Sequence, residues 1–427
     1  MNNKAILHLA GIPRAMNAVN LLNEISSLYP EAISFTSGSP QADRYRLDRY
    51  SHYIERFVTR HTIEQGWQTA NTFSLLGNYS SAMGITRHYI RQHLATDDNL
   101  EVEEDQIVIT NGAQEAILLT LQALFKRQKP GSLVISTPFY SGVDAAARML
   151  GIETHYLQES EFGLTPEALL SLLDTETESA NPVRAVYCCP NFSNPSGTLM
   201  PDKTKERLVE LCRNKNILLI EDNTYGYIGY GDPFRPAKAW DTTNHVIYIS
   251  TFSKTICPGI RAGYVVTGQT TMIDGTHSSL AQVISTYKSL GSNHVPGLIQ
   301  ALIGGILEEN YFSVRGYIAE QVTIYRAKRD HLIYCLREYF GARSDVSWTE
   351  PQGGFFCVVT LPFFVDEDAM HTCATRFRVI WLPMSMFMPA GSISQKIRLS
   401  FSNVSAEQIQ EGVKRLAEYV SWTIKEK

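Results

Sequence analysis

The chain has 427 residues, 44% hydrophobic and 19% charged, with a formal net charge of -5. That length allows more than one domain, and that composition supports a sizeable core rather than wholesale disorder. The acidic balance argues against a general nucleic-acid binder, and no run reaches the roughly 18 apolar residues of a membrane-spanning helix. The start, "MNNKAILHLAGIPRAMN", is broken at His8 and Gly11, so no targeting signal is expected. Seven cysteines form no CxxC pair, and Cys188 and Cys189 sit together in an apolar run. They read as reduced thiols of a cytoplasmic protein, without a metal site.

Short apolar runs alternate with helix-like stretches through the middle of the chain. "QIVIT" (106–110) leads into "AQEAILLTLQALFKR", and "SLVIST" (132–137) into "SGVDAAARMLG". "RAVYCC" (184–189) precedes "NFSNPSG" and a charged helix-like segment. "NILLIED" (216–222), "HVIYIS" (245–250) and "AGYVVTG" (262–268) follow. Such alternation predicts an α/β fold, with a mostly parallel sheet between helices. The last third differs. "YFSVRGYIAEQVTIYRAKRDHLIYCLREYF" predicts a long helix, and "GGFFCVVTLP" and "KIRLSFS" predict strands of a second, smaller sheet. "SAEQ" (405–408) is a capping box opening a last helix with Ile409, Val413, Leu416 and Val420 on one face. The expected division is a large α/β domain over 50–310 and a small α+β domain built from 1–49 and 311–427.

Ligands of a parallel sheet gather beyond the carboxyl ends of its strands. There the chain places Gly112-Ala113-Gln114, Tyr140, Asn194, Asp222 with Tyr225, and Thr251, Ser253 and Lys254. Pyridoxal 5'-phosphate uses this whole set. Lys254 would form a Schiff base with its aldehyde, and Asp222 would hold its pyridine nitrogen protonated. Tyr140 can stack on the ring, while Asn194 and Tyr225 can hydrogen-bond its phenolic oxygen. The phosphate wants a helix N-terminus, offered by "TNGAQEA", with the hydroxyls of Thr251 and Ser253 and the guanidinium of Arg261.

The same residues, in the same order, resemble the class I/II aminotransferases, which are fold-type I pyridoxal-phosphate enzymes. The nearest pattern is the branch of α-aminoadipate (kynurenine) and valine–pyruvate aminotransferases. "NPSG", "EDNTYG" and "TFSKTICPGIR" match that family's motifs around Asn194, Asp222, Tyr225, Lys254 and Arg261. "SFTSGSP" implies that Gly38 lies near the substrate. "GNYSSAMG" implies that Tyr79 reaches the phosphate of a partner subunit's cofactor in a homodimer. "IRLSFSN" implies that Arg398 binds the substrate α-carboxylate, beside Asn194. The resemblance implies a seven-stranded large-domain sheet and amino-group transfer between an L-α-amino acid and a 2-oxo acid. It also implies a ping-pong mechanism with Lys254, Asp222 and Tyr225 as the catalytic residues.

The sequence departs from that pattern at Met384, where the family usually carries glycine, and in "FRVIW", which lacks a glycine before the strand. Thr251 replaces a common serine, and the segment 61–79 is longer than expected. These departures keep open a non-transaminating reaction on the same fold: β- or γ-elimination or replacement, cyclisation, decarboxylation or oxidation. A cofactor-sensing regulator is a remote reading, because the family pattern begins by about residue 33 and leaves no room for a winged helix-turn-helix. Arg14 could fold over the site from an N-terminal arm and is not among the candidate site residues.

Overall fold

The computed structural model describes residues 25–125, 131–176, 180–273 and 275–426. Its centre is a seven-stranded sheet. In chain order the strands are β1 (Ile107–Thr110), β2 (Ser132–Thr137), β3 (Glu153–Gln158), β4 (Val183–Cys188), β5 (Leu218–Asp222), β6 (Val246–Thr251) and β7 (Gly263–Val266). They lie in the order β1-β7-β6-β5-β4-β2-β3. β7 runs antiparallel to both its neighbours and every other pairing is parallel.

β1, β2, β6 and β7 are buried throughout, because helices cover both faces. One face packs on Ala116, Ile117 and Leu121 of the helix Ala113–Leu124 and on Val143 and Ala147 of Ser141–Met149. The other packs on Leu169 and Leu173 of Pro166–Thr175 and on Leu208 and Cys212 of Asp202–Lys215. The edge strand β3 was not among the apolar runs. Its sequence, ETHYLQ, is mostly polar and stays partly exposed, as an edge strand allows.

The C-terminal part carries a four-stranded antiparallel sheet ordered β8-β9-β11-β10. Its strands are β8 (Ser347–Trp348), β9 (Phe356–Val365), β10 (Leu382–Pro383) and β11 (Ser394–Ser400). The last helix, Ala406–Glu426, buries Ile409, Val413, Leu416 and Val420, as its period predicts. Its capping box is made: Ser405 and Gln408 each accept from the other's backbone N–H. The stretch 311–340 is not one helix. Tyr311 and Phe312 take left-handed φ values of 53° and 61°, so a short turn, Val314–Tyr317, precedes Ala319–Phe340.

The segment 61–79 completes the helix Tyr50–Gln65 and forms a second, Thr69–Gly77. Arg378, where "FRVIW" lacks the family's glycine, itself takes a left-handed φ of 56°. Met384 opens a short turn, Met384–Phe387, and is buried. Among the described residues no helix is long and apolar enough to cross a membrane.

Candidate active site

Side chains from the carboxyl ends of β1, β2, β4, β5 and β6 meet in one cleft of about 600 Å³, open to solvent. Ala113, Gln114, Tyr140, Asn194, Asp222, Tyr225, Thr251, Ser253, Lys254 and Arg261 all line it. Four residues named with them do not. Gly112 sits just before Ala113, at the cap of the helix Ala113–Leu124. Gly38 and Arg398 adjoin the cleft through hydrogen bonds to Lys254 and Asn194. Tyr79 lies outside the cleft of its own chain, 86% exposed, with its ring edge-on to His294. Arg14 lies outside the described residues.

Lys254 follows the buried strand β6, which aims it into the cleft. Its Nζ donates to the carbonyl of Gly38 at 2.8 Å and lies 5.6 Å from the Tyr225 ring centre. Burial lowers its pKa first, the cations Arg398 and Arg261 lower it further, and it falls to about 8. Asp222, at the end of β5, is 4% exposed. Burial raises its pKa, while hydrogen bonds from Thr224 and Tyr187 and the charge of Lys254 act the other way. The Tyr140 hydroxyl donates to Gln114 Oε1 at 2.6 Å, and burial pushes its pKa up to about 12.

The end of the cleft at Gly112 is a compact polar cup. Thr251 Oγ1 donates to Ser253 Oγ at 2.9 Å, and Arg261 Nη1 donates to the same oxygen at 3.1 Å. Arg261 Nη2 donates to the carbonyl of Asn111 at 3.0 Å. Gly112 has φ 88°, and a Cβ there would lie 2.5 Å from Arg261 Nη2. The φ value requires glycine, and an added Cβ would displace the Arg261 guanidinium. The first backbone N–H groups of the helix that follows have no partner within the helix.

Arg398 is held from the opposite side. It lies on β11, 4% exposed, between the rings of Phe356 and Phe387 at 4.3 and 4.7 Å. Nη1 donates to Asn194 Oδ1 and Nη2 to the carbonyl of Thr36, both at 2.7 Å. Among the described residues its Nε is buried without a hydrogen-bond partner. The Tyr225 hydroxyl donates to the Gly38 carbonyl at 3.4 Å.

Sequence reasoning missed several neighbours. Cys189, Asn191 and Thr224 also line the cleft. Thr224 caps Asp222 from two residues on, a common side-chain-to-backbone turn that the spacing alone could have shown. Tyr187 on β4 and Cys189 just past its end are two residues apart and so share a face. Phe356 and Phe387 left no local signal.

The model of the family "Aminotransferase class I and II" matches residues 60–416. The (S)-3,5-dihydroxyphenylglycine transaminase of Amycolatopsis orientalis is 33% identical over 97% of this chain and 94% of its own. The multiple substrate aminotransferase of Thermococcus profundus superposes with a TM-score of 0.82 at 25% identity, covering 100% of this chain and 98% of that one. A kynurenine aminotransferase of Pyrococcus horikoshii, solved with PMP, superposes with a TM-score of 0.80 at 25% identity over 99% and 97% of the two chains. With that match, that relative and this fold, the chain belongs to the class I and II aminotransferases.

Proposed function

We propose that the cleft holds pyridoxal 5'-phosphate and that the chain moves an amino group between an α-amino acid with an aromatic or apolar side chain and a 2-oxo acid. The observation that carries this reading is the convergence of Lys254, Asp222, Arg261 and Arg398 on one cleft. The residues fit the cofactor. The cup of Gly112, Ala113, Gln114, Thr251, Ser253 and Arg261 suits a phosphate. Asp222 suits a pyridine nitrogen, Tyr140 a ring face, and Asn194 and Tyr225 a phenolic oxygen. When bound, pyridoxal phosphate supplies a carbonyl for the amine and an electron-withdrawing ring that stabilises charge at the substrate α-carbon.

The chain's own groups do the rest. Arg398 takes the substrate carboxylate bidentately, its plane fixed between Phe356 and Phe387. Asn194 and Gly38 flank that position. Lys254 takes the α-proton as a general base and returns it, and its lowered pKa suits both directions near neutral pH. The relative named for dihydroxyphenylglycine supports an aromatic or apolar donor. The relatives' names as transaminases favour transfer over elimination or oxidation.

The enzyme works as a homodimer in this reading, with Tyr79 completing the partner's site. Phe73 and Leu298, on the mutually packed helices Thr69–Gly77 and Gly297–Glu309, and Tyr79, just past the first of them, are all exposed and suit burial by a second copy. All seven cysteines are unpaired, which fits the reducing cytoplasm.

The test is a spectrum of the purified, cofactor-loaded enzyme titrated with a panel of amino acids in the absence of any oxo acid. Loss of the cofactor's visible band with one equivalent of oxo acid released is expected, with aromatic donors ahead of aspartate. Repeated product release with the band restored overturns the transfer reaction.

A further inference from the structure

Asp222 carries an asymmetry that its place in the cleft does not require. Its Oδ1 accepts two hydrogen bonds, from the backbone N–H of Thr224 at 3.0 Å and from Thr224 Oγ1 at 2.5 Å. Its Oδ2 accepts one among the described residues, from the Tyr187 hydroxyl at 2.7 Å. A carboxylate oxygen has two lone pairs to offer. Oδ1 is therefore filled, and Oδ2 keeps one acceptor position.

Tyr187 is placed to control that position. It lies on β4 beside Ile220 of β5, so Tyr187 and Asp222, two residues beyond Ile220, stand on the same face. The ring is fully buried in the core under the helix Ala113–Leu124, which leaves the hydroxyl little freedom. The hydroxyl has one proton, and the carboxylate is its strongest acceptor. Its other neighbour is Cys189 Sγ at 3.5 Å, a weak partner.

We propose that Tyr187 is a positioning residue: it fixes Oδ2 of Asp222 as the acceptor for the cofactor's ring nitrogen and keeps the carboxylate ionised in a buried site. This inference rests on the reading of the cleft as a pyridoxal-phosphate site. Among the described residues, the titratable groups facing Asp222 from the surrounding elements are Lys254, Tyr140, Tyr225, Tyr187 and Cys189. Lys254 is the only cation among them. Of the other four, Tyr187 alone donates a hydrogen bond to the carboxylate. Without that donor, Asp222 protonates at higher pH. Its ionised form exists only above its own pKa, so the acid-side loss of cofactor binding moves upward.

The experiment measures the dissociation constant of pyridoxal phosphate by titrating apoprotein from pH 5 to pH 9. It compares wild type with Y187F, D222N and the double variant. Y187F should bind about tenfold more weakly at neutral pH, the scale of a hydrogen bond to a charged group, with its acid limb at higher pH. In the D222N background Y187F should add nothing, because no charged oxygen remains to be fixed. Y187H, which returns a ring donor, should recover part of both effects, and it carries the comparison if Y187F does not fold. A wild-type acid limb in Y187F overturns the inference, and so does an equal loss in both backgrounds. Wild-type affinity in D222N would instead overturn the reading of the cleft itself.

Discussion

The two walls of the cleft are built from contacts of different range. On the sheet wall, several polar groups have one partner close by in the chain, Thr251 and Arg261 in Ser253 and Asp222 in Thr224, beside ties within the same sheet to Tyr187 and to the Asn111 carbonyl. On the opposite wall, Arg398 is held by Asn194 and Thr36, which lie 204 and 362 positions away. The sheet wall is complete once the large sheet and its strand ends have formed. The far wall exists only once both sheets have come together. Lys254 stands at the seam, bonded to Gly38 across the gap.

The largest test of this division falls on the seam. K254A should lose about a thousandfold or more in turnover while still binding pyridoxal phosphate without a covalent bond, because it removes both nucleophile and base. Turnover assays and dialysis against buffer check this, and full activity would break the scheme. R398A, on the far wall, should cost roughly a hundredfold in kcat/KM for the amino acid, the scale of truncating one partner of a buried charge pair. Steady-state kinetics check it, and cofactor affinity should move far less than substrate affinity.

G112A strikes the local wall. Its φ of 88° and the near contact with Arg261 should cost about 1–3 kcal/mol of stability. Thermal melting of the apoprotein reads this, together with weaker cofactor binding from a displaced Arg261. The smallest effect is a pH limb. The rate at which apoprotein captures pyridoxal phosphate should rise with pH and level off above about 8, where the Lys254 amine becomes free. Below that it should fall about tenfold per pH unit. Removing Arg398 removes a cation that depresses Lys254, so R398A should shift the limb upward and tie the two walls together. A limb near 10.5, the ordinary lysine value, would break that link.

The same division explains what could be read in advance. The strand ends announce the sheet wall, because each polar cluster follows its apolar run directly, as Thr251, Ser253 and Lys254 follow "HVIYIS". The parallel order was legible from alternation, except at β3, whose half-exposed residues hide its apolar signal. Arg398 was reachable only through family resemblance, since nothing near it in the chain marks its partners. Phe356 and Phe387 resisted even that, because rings that clamp a guanidinium look like any core phenylalanine until β9 and the turn Met384–Phe387 meet around it. Tyr187 was hidden by its surroundings: one hydroxyl in the apolar strand β4 reads as packing until β5 sets Asp222 beside it.

The loop Met384–Phe387 is tied to the large part by main chain, with Phe139 donating its N–H to the Phe387 carbonyl at 2.9 Å. A tie of that kind is indifferent to side-chain identity. The half-buried Met386 can therefore be exchanged without unfastening the loop, whereas Met384 is packed in the core. Divergent descendants of such a chain can vary Met386 while the residues lining the cleft are inherited unaltered.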